Sequence, residues 1–276
     1  METPSERLRR GAAAALVVAL AACGSPTIED EESIGREAVA QIRQHVIVLH
    51  DDVVNAYIDD VGQRLVQASG PQPFEYTFTV IEDDELNAFA TFGGNIFIHT
   101  GLILRVRNVG ELSGVLGHEI GHVVKRHMAD NYARAKQAGW LRNAAVIGSA
   151  IGGVNPGAVD LLTQFGAIGI LNTFTREAES EADTFAVDLL PRAGYDPNGI
   201  VSMFEVLTAE NSGRSRAPKF FQSHPASEER TKATKALIAA KTLPPNLKND
   251  DNGKLEIIQH RVRLLTRQKD PAPKRS

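Results

Sequence analysis

The sequence predicts an α+β fold that is mostly helical, with a small antiparallel-type sheet before its midpoint. Three observations carry this expectation. Apolar residues recur at helical spacing through much of the 276-residue chain, the runs between 74 and 100 read as short strands, and "GHEIGHV" at 117–123 lies on an apolar helical stripe. With 42% hydrophobic and 23% charged residues, the chain has enough apolar material for one well-packed domain. A net charge of -4 and the lack of a basic helical face argue against a nucleic-acid binder, so no nucleic-acid partner is expected.

The first 22 residues read as a secretory signal, with Arg7, Arg9 and Arg10 ahead of an apolar run too short to span a bilayer. Cys23 is the only cysteine, which rules out a disulfide framework. Leu20-Ala21-Ala22-Cys23 resembles the lipobox of bacterial lipoproteins, and that resemblance implies cleavage before Cys23 and acylation of it. Gly24, rather than Asp, implies sorting to the outer membrane in a Gram-negative host. The plainer alternative is an ordinary signal with a chance cysteine at its border. Residues 23–33 then form a lipidated tether, 34–265 the folded domain and 266–276 a basic flexible tail.

Val54, Tyr57, Ile58, Val61 and Leu65 lie on one helical stripe, and the pattern from 34 to 70 predicts two helices broken near His50. "FEYTFTVI" at 74–81 reads as a strand, and "AFATFGGNIFIHT" as two more joined at Gly93-Gly94. A helix is predicted over 109–127. Its Gly114, Gly117 and Gly121 imply close approach of a neighbour. The apolar segment 143–174 is expected to be a buried helical pair, with a lid or a membrane-facing hairpin as alternatives. Further helices are predicted over 174–192, after Pro197 and from Ser227.

His118 and His122, four apart on a helix, project from one face and can present ring nitrogens to a single ion. Glu119 can reach a water on that ion, which is the mechanical content of His-Glu-x-x-His. Two core histidines are the plainer alternative. A catalytic zinc needs a third protein ligand. Lys125 and Met128 occupy the places where an elongated histidine motif needs Gly and His, and His127 is rotated off the ligand face and reads as structural. A downstream carboxylate is therefore expected. In "TREAESEADTFAVDLL", Glu177, Glu181, Thr184 and Asp188 share a polar face, whereas Glu179 and Asp183 continue the apolar stripe of Ala186, Val187 and Leu190. Buried acids need partners, so Glu179 is predicted to hold the ion and Asp183 a histidine N–H.

"HEIGH" followed by "TREAESEAD" resembles the HtpX-like and CAAX-prenyl-protease family of zinc metallopeptidases, a gluzincin family. Its downstream pattern is Ser-Arg-x-x-Glu-x-x-Ala-Asp, and only the Ser is replaced, by Thr175. The likeness extends to "NAFATFGGNIFIHTGLI" and "SHPASEER" and covers most of residues 34–240. It implies a zincin-type metallopeptidase domain, one zinc per chain and a zinc site on the active-site helix. Transmembrane helices of the intramembrane members are absent, so the chain resembles the soluble periplasmic lipoprotein branch. The resemblance also places His224 beside the zinc, either aiding catalysis or blocking the metal as a fourth ligand, with Arg230 anchoring that loop. An ordinary loop histidine is the alternative.

An exposed strand edge at 87–91, led by Asn87, Ala88 and Phe89, or at 96–100, is expected to pair with extended substrate unless these strands only pack. The function expected is that of a lipid-anchored outer-membrane endopeptidase facing the periplasm and removing unfolded or damaged envelope proteins. Outer-membrane assembly machinery is a candidate partner. The rival expectation is a non-catalytic or autoinhibited assembly factor or chaperone of the same fold. No serine-nucleophile elbow or phosphate-binding loop is present.

Overall fold

The computed structural model describes residues 25–137, 173–211, 220, 223–224 and 227–266. The expected signal, Cys23 and most of 143–174 and of the tail 266–276 lie outside the described residues. The chain begins with helix α1 (Ile28–His45), whose entry is a capping box. The Thr27 hydroxyl accepts from the Asp30 amide, and the Asp30 carboxylate accepts from the Thr27 amide. Residues 28–33 are thus helical, although the sequence reading placed them in the tether. Helix α2 (Asp52–Ser69) follows, with Asp51 accepting from the Val54 amide at 3.0 Å, so the two helices do break near His50.

Three strands come next, β1 (Thr77–Ile81), β2 (Ala88–Thr91) and β3 (Asn95–His99), in the spatial order β1-β3-β2. Between β2 and β3 the chain turns through Phe92–Gly94, where Gly93 and Gly94 take φ of 72° and 80°, as the Gly-Gly junction led one to expect. The expected antiparallel sheet is in fact mixed: β2 pairs antiparallel to β3, but β1 runs parallel to it. Alternation marks a residue run as a strand and says nothing about the direction of a partner beyond the neighbouring hairpin. β3 is therefore central, and β2 is an edge. The outer side of β1 is partly covered, since the Leu49 amide donates to Val80 and the Glu82 amide to Ile47.

A short helix α3 (Thr100–Arg105) leads into α4 (Val109–Val124), which is buried from Val109 through Val123. Helices α5 (His127–Gln137), α6 (Arg176–Arg192), α7 (Asn198–Asn211), α8 (Glu228–Ala239) and α9 (Lys254–Thr266) complete the described fold. Sequence reading placed no separate helix at α9, which buries Leu255, Ile258 and Val262. α4 is the central rod: it packs on α6 and α7 and touches β2 and α2. Gly121 lies against the Ala182 backbone of α6 and Gly114 against the Ile200 backbone of α7, where an added Cβ would come within 3.1 and 2.8 Å of backbone atoms. These two glycines bring the neighbouring helices close enough for short side chains to meet between them.

The contrast with Gly117 is testable, because a Cβ there would meet nothing nearer than 3.6 Å. Gly114→Ala is expected to lower the unfolding free energy by about 1–3 kcal/mol through overpacking. Gly117→Ala, which gains about 1 kcal/mol of helix propensity, is expected to be neutral or stabilising. Denaturant unfolding of both variants checks this.

Candidate metal centre

The centre forms where α4 and α6 cross. α6 starts at its cap Thr175, whose hydroxyl accepts from the Ala178 amide at 3.3 Å. This puts Glu179 in the first helical turn, where the helix dipole favours a carboxylate. Glu179 and Asp183 are buried while Glu177, Glu181 and Asp188 are exposed, as the helical phase predicts. One turn from the Gly121–Ala182 contact, His118 and His122 face these two acids.

Ring nitrogens and carboxylate oxygens converge on one point. His118 Nε2 and His122 Nε2 lie 3.0 Å apart, and each is 3.5 Å from a Glu179 oxygen. His118 Nδ1 sits 2.9 Å from Asp183 Oδ1, which fixes Nε2 as the nitrogen directed at the centre. His224 joins them, with Nδ1 at 2.8 Å from Glu179 Oε1 and 3.2 Å from His118 Nε2. Its Nε2 lies 3.4 Å from Glu119 Oε1. Arg230 closes the back of the site as a fork: Nε and Nη2 each donate to Asp183 at 2.8 Å, and Nη1 reaches Glu179 Oε2 at 2.6 Å. One guanidinium thus holds the two buried acids of α6, pairing bidentately with Asp183 and through one nitrogen with Glu179.

The expected substrate strand borders the centre on its other side. The Asn87 carbonyl accepts from the His99 amide at 3.1 Å, and in this antiparallel register the backbone of Phe89 also faces β3. The amides of Ala88 and Ala90 therefore point away from β3, and Ala90 N–H donates to Glu119 Oε2 at 3.1 Å; Asn87, Ala88, Ala90 and Thr91 are all buried, so the exposed edge expected at 87–91 is covered in this structure. The Phe89 ring stacks on Phe97 at 5.1 Å, a packing contact. The other candidate edge, 96–100, belongs to the central strand.

Burial opposes charge throughout this cluster, and specific partners decide each outcome. For His118 burial favours the neutral ring, but hydrogen bonds to Asp183 and Glu179 outweigh it and raise the pKa to about 10. Burial drives His122 well below the usual imidazole value, because Glu179 does not offset it. Glu179 is held far below the carboxylate range, burial being overcome by His224, His118 and His122. Asp183 is lowered likewise by His118 and Arg230, whereas burial raises Glu119.

Among the described residues, His118, His122, Glu179 and His224 form a group that could hold a metal ion, their donor atoms lying within 4.8 Å of one another. Glu119 Oε1 and His224 Nε2 are buried and have no hydrogen-bond partner. Two imidazoles and a carboxylate with unsatisfied polar atoms beside them fit a tetrahedral zinc. Sequence reasoning passed over two contributors, Phe174 and Phe220, and read a third, His127, as structural. Phe174 stacks on His122 with centroids 3.8 Å apart, Phe220 stacks on His224 at 4.6 Å, and His127 Nδ1 lies 2.9 Å from His122 Nδ1. The two phenylalanines had no signal beyond being apolar. His127 follows a turn that resets the helical phase.

The family model "Peptidase family M48" matches residues 52–238, well over half of the chain. The beta-barrel assembly-enhancing protease of Escherichia coli (strain K12) is 32% identical over 208 residues, covering 74% of this chain and 43% of that protein. Metalloprotease YcaL of the same organism is 32% identical over 168 residues, 59% of this chain and 62% of its own length. Mitochondrial metalloendopeptidase OMA1 of Schizosaccharomyces pombe is 29% identical over 174 residues, 63% of this chain and 50% of its own length. The chain thus spans about half the length of several of the curated relatives it matches, and less than half of the Escherichia coli assembly-enhancing protease.

Arg230 offers a direct test of the charge cluster. Arg230→Met keeps the stem and removes the charge from two buried acids, so the metal-free protein is expected to lose about 3 kcal/mol of stability, the cost of stranding buried charge. Denaturant unfolding after chelation measures it.

Proposed function

Because the chain belongs to peptidase family M48, we propose that it is a zinc-dependent endopeptidase cleaving unfolded or misassembled proteins of the cell envelope. The convergence of His118, His122 and Glu179 on one point, with Glu119 beside it, carries this reading. A zinc ion held there would supply a Lewis acid that polarises a peptide carbonyl and acidifies a water. The chain's own groups do the rest. Glu119, whose affinity for a proton is raised by burial, accepts one from the attacking water and returns it to the departing amine. Its Oε2 is held by the Ala90 amide, leaving Oε1 for this exchange. Asp183 and Arg230 keep His118 and Glu179 in place.

A sequence-tolerant mode of recognition would use the outer side of β2, which is buried in this structure and has to be uncovered for a substrate chain to reach it. With that side uncovered, an extended segment would pair with the backbone of Ala88, next to Glu119, while the Ala90 amide stays on Glu119 Oε2. Asn87 lies at the start of this edge, and its side-chain oxygen is buried without a hydrogen-bond partner. Envelope quality control draws support from relatives named for enhancing beta-barrel assembly. Attachment to the outer membrane through Cys23 draws support from the lipobox-like sequence, and outer-membrane assembly machinery is the matching partner. Among the described residues no helix is long and apolar enough to cross a membrane.

Glu119→Gln is expected to abolish casein cleavage while leaving zinc content intact, and Glu179→Ala to lose zinc while Glu177→Ala keeps it. Metal analysis of the purified variants beside the casein assay checks this, and equal cleavage by Glu119→Gln and parent would refute the mechanism.

The position of His224 favours a second, autoinhibited state of the same enzyme. Its ring lies among the three ligands rather than beyond them, close enough to supply a fourth donor. His224→Ala is therefore expected to raise the rate of casein cleavage; a fall would assign His224 to transition-state stabilisation instead.

A further inference from the structure

We propose that His127 is a positioning residue for the metal centre, fixing the tautomer and orientation of His122 through a relay that ends on Glu181. The inference rests on the reading that His122 is a metal ligand. His122 Nε2 points at His118 and Glu179, so a ligand ring here must carry its proton on Nδ1. That nitrogen lies 2.9 Å from His127 Nδ1. The His122 N–H therefore donates to His127 Nδ1, and the His127 proton must sit on Nε2, which is 3.3 Å from Glu181 Oε2. Each link dictates the next, and a single set of tautomers satisfies all three groups.

The two ligand histidines are thereby braced in parallel ways. His118 Nδ1 lies directly against Asp183 at 2.9 Å, whereas among the described residues no acid lies against His122 Nδ1, which meets an intervening imidazole. His127 is 5% exposed and Phe174 stacks on the His122 ring, so water has little room to replace the acceptor. The backbone is arranged for this contact. α4 ends at Val124, Arg126 takes φ of 56°, and Arg126 is pinned by Glu31 at 2.7 Å, so His127 swings back over His122 at the head of α5. Glu181 stands on the exposed face of α6, two residues from the third ligand. One helix thus supports both ligand histidines, through Asp183 on one side and Glu181 on the other.

The test is zinc affinity of the full chain, measured by competition with a chromophoric chelator, for the parent, His127→Leu, His127→Asn and Glu181→Ala. Outer-shell partners of ligand histidines typically contribute 10–100-fold to metal affinity. His127→Leu, which fills the space without an acceptor, is expected to weaken zinc binding by that factor. His127→Asn, whose side-chain oxygen can take the place of Nδ1, is expected to stay within about threefold of the parent. Glu181→Ala, at an exposed position that does not threaten folding, is expected to weaken binding about threefold, the weight of an exposed charged partner. Parent-like affinity in both His127→Leu and Glu181→Ala would overturn the relay, and equal loss in His127→Leu and His127→Asn would reduce His127 to packing. Should His127→Leu not fold, the Asn variant losing as much as 10-fold, or Glu181→Ala losing nothing, overturns it equally. A parent that binds no zinc would instead overturn the metal-centre reading itself.

Discussion

The structure depends on a buried cluster of opposite charges at the crossing of α4 and α6. Glu179 and Asp183 are at most 3% exposed, a burial that an isolated carboxylate does not tolerate. They persist because His118 and the Arg230 fork meet them at 2.6–2.9 Å, with His122 and His224 close by. Removing any member strands the rest, which couples the packing of α4, α6 and α8 to the chemistry of the centre. The same arrangement leaves a few donor atoms aimed at one point, and a divalent cation is the natural complement to them.

Much of this was legible from residue spacing. The i, i+4 histidines needed only a helix, and the phase of α6 separated Glu179 and Asp183 from Glu177 and Glu181 because period and burial are tied together. The glycines of α4 were legible for the same reason: a run of poor helix formers in a buried helix signals a neighbour at close range. Arg230 was legible only as part of a likeness, since nothing in its own neighbourhood announces that it grips two acids of another helix.

Other features were beyond local reading for physical reasons. The parallel pairing of β1 with β3 is set by packing across the domain rather than by alternation within either strand. The contact between His127 and His122 follows from a single positive φ at Arg126 that resets the helical phase, and counting residues along an unbroken helix puts that ring on the wrong side. The stacked rings of Phe174 and Phe220 come from segments remote in sequence. In each case a long-range contact overrides a local period.

The geometry also links recognition to chemistry. One carboxylate, Glu119, touches both the edge strand and the metal centre. His224 lies at the same place and is the element whose displacement would open the centre. X-ray absorption at the zinc edge of the purified full chain tests the central claim most directly. The account predicts one zinc in a nitrogen and oxygen shell at about 2.0–2.1 Å, typical of imidazole and carboxylate ligands, with scattering from three imidazoles that falls to two in His224→Ala. A shell without imidazole scattering, or one unchanged by Glu179→Ala, would contradict it.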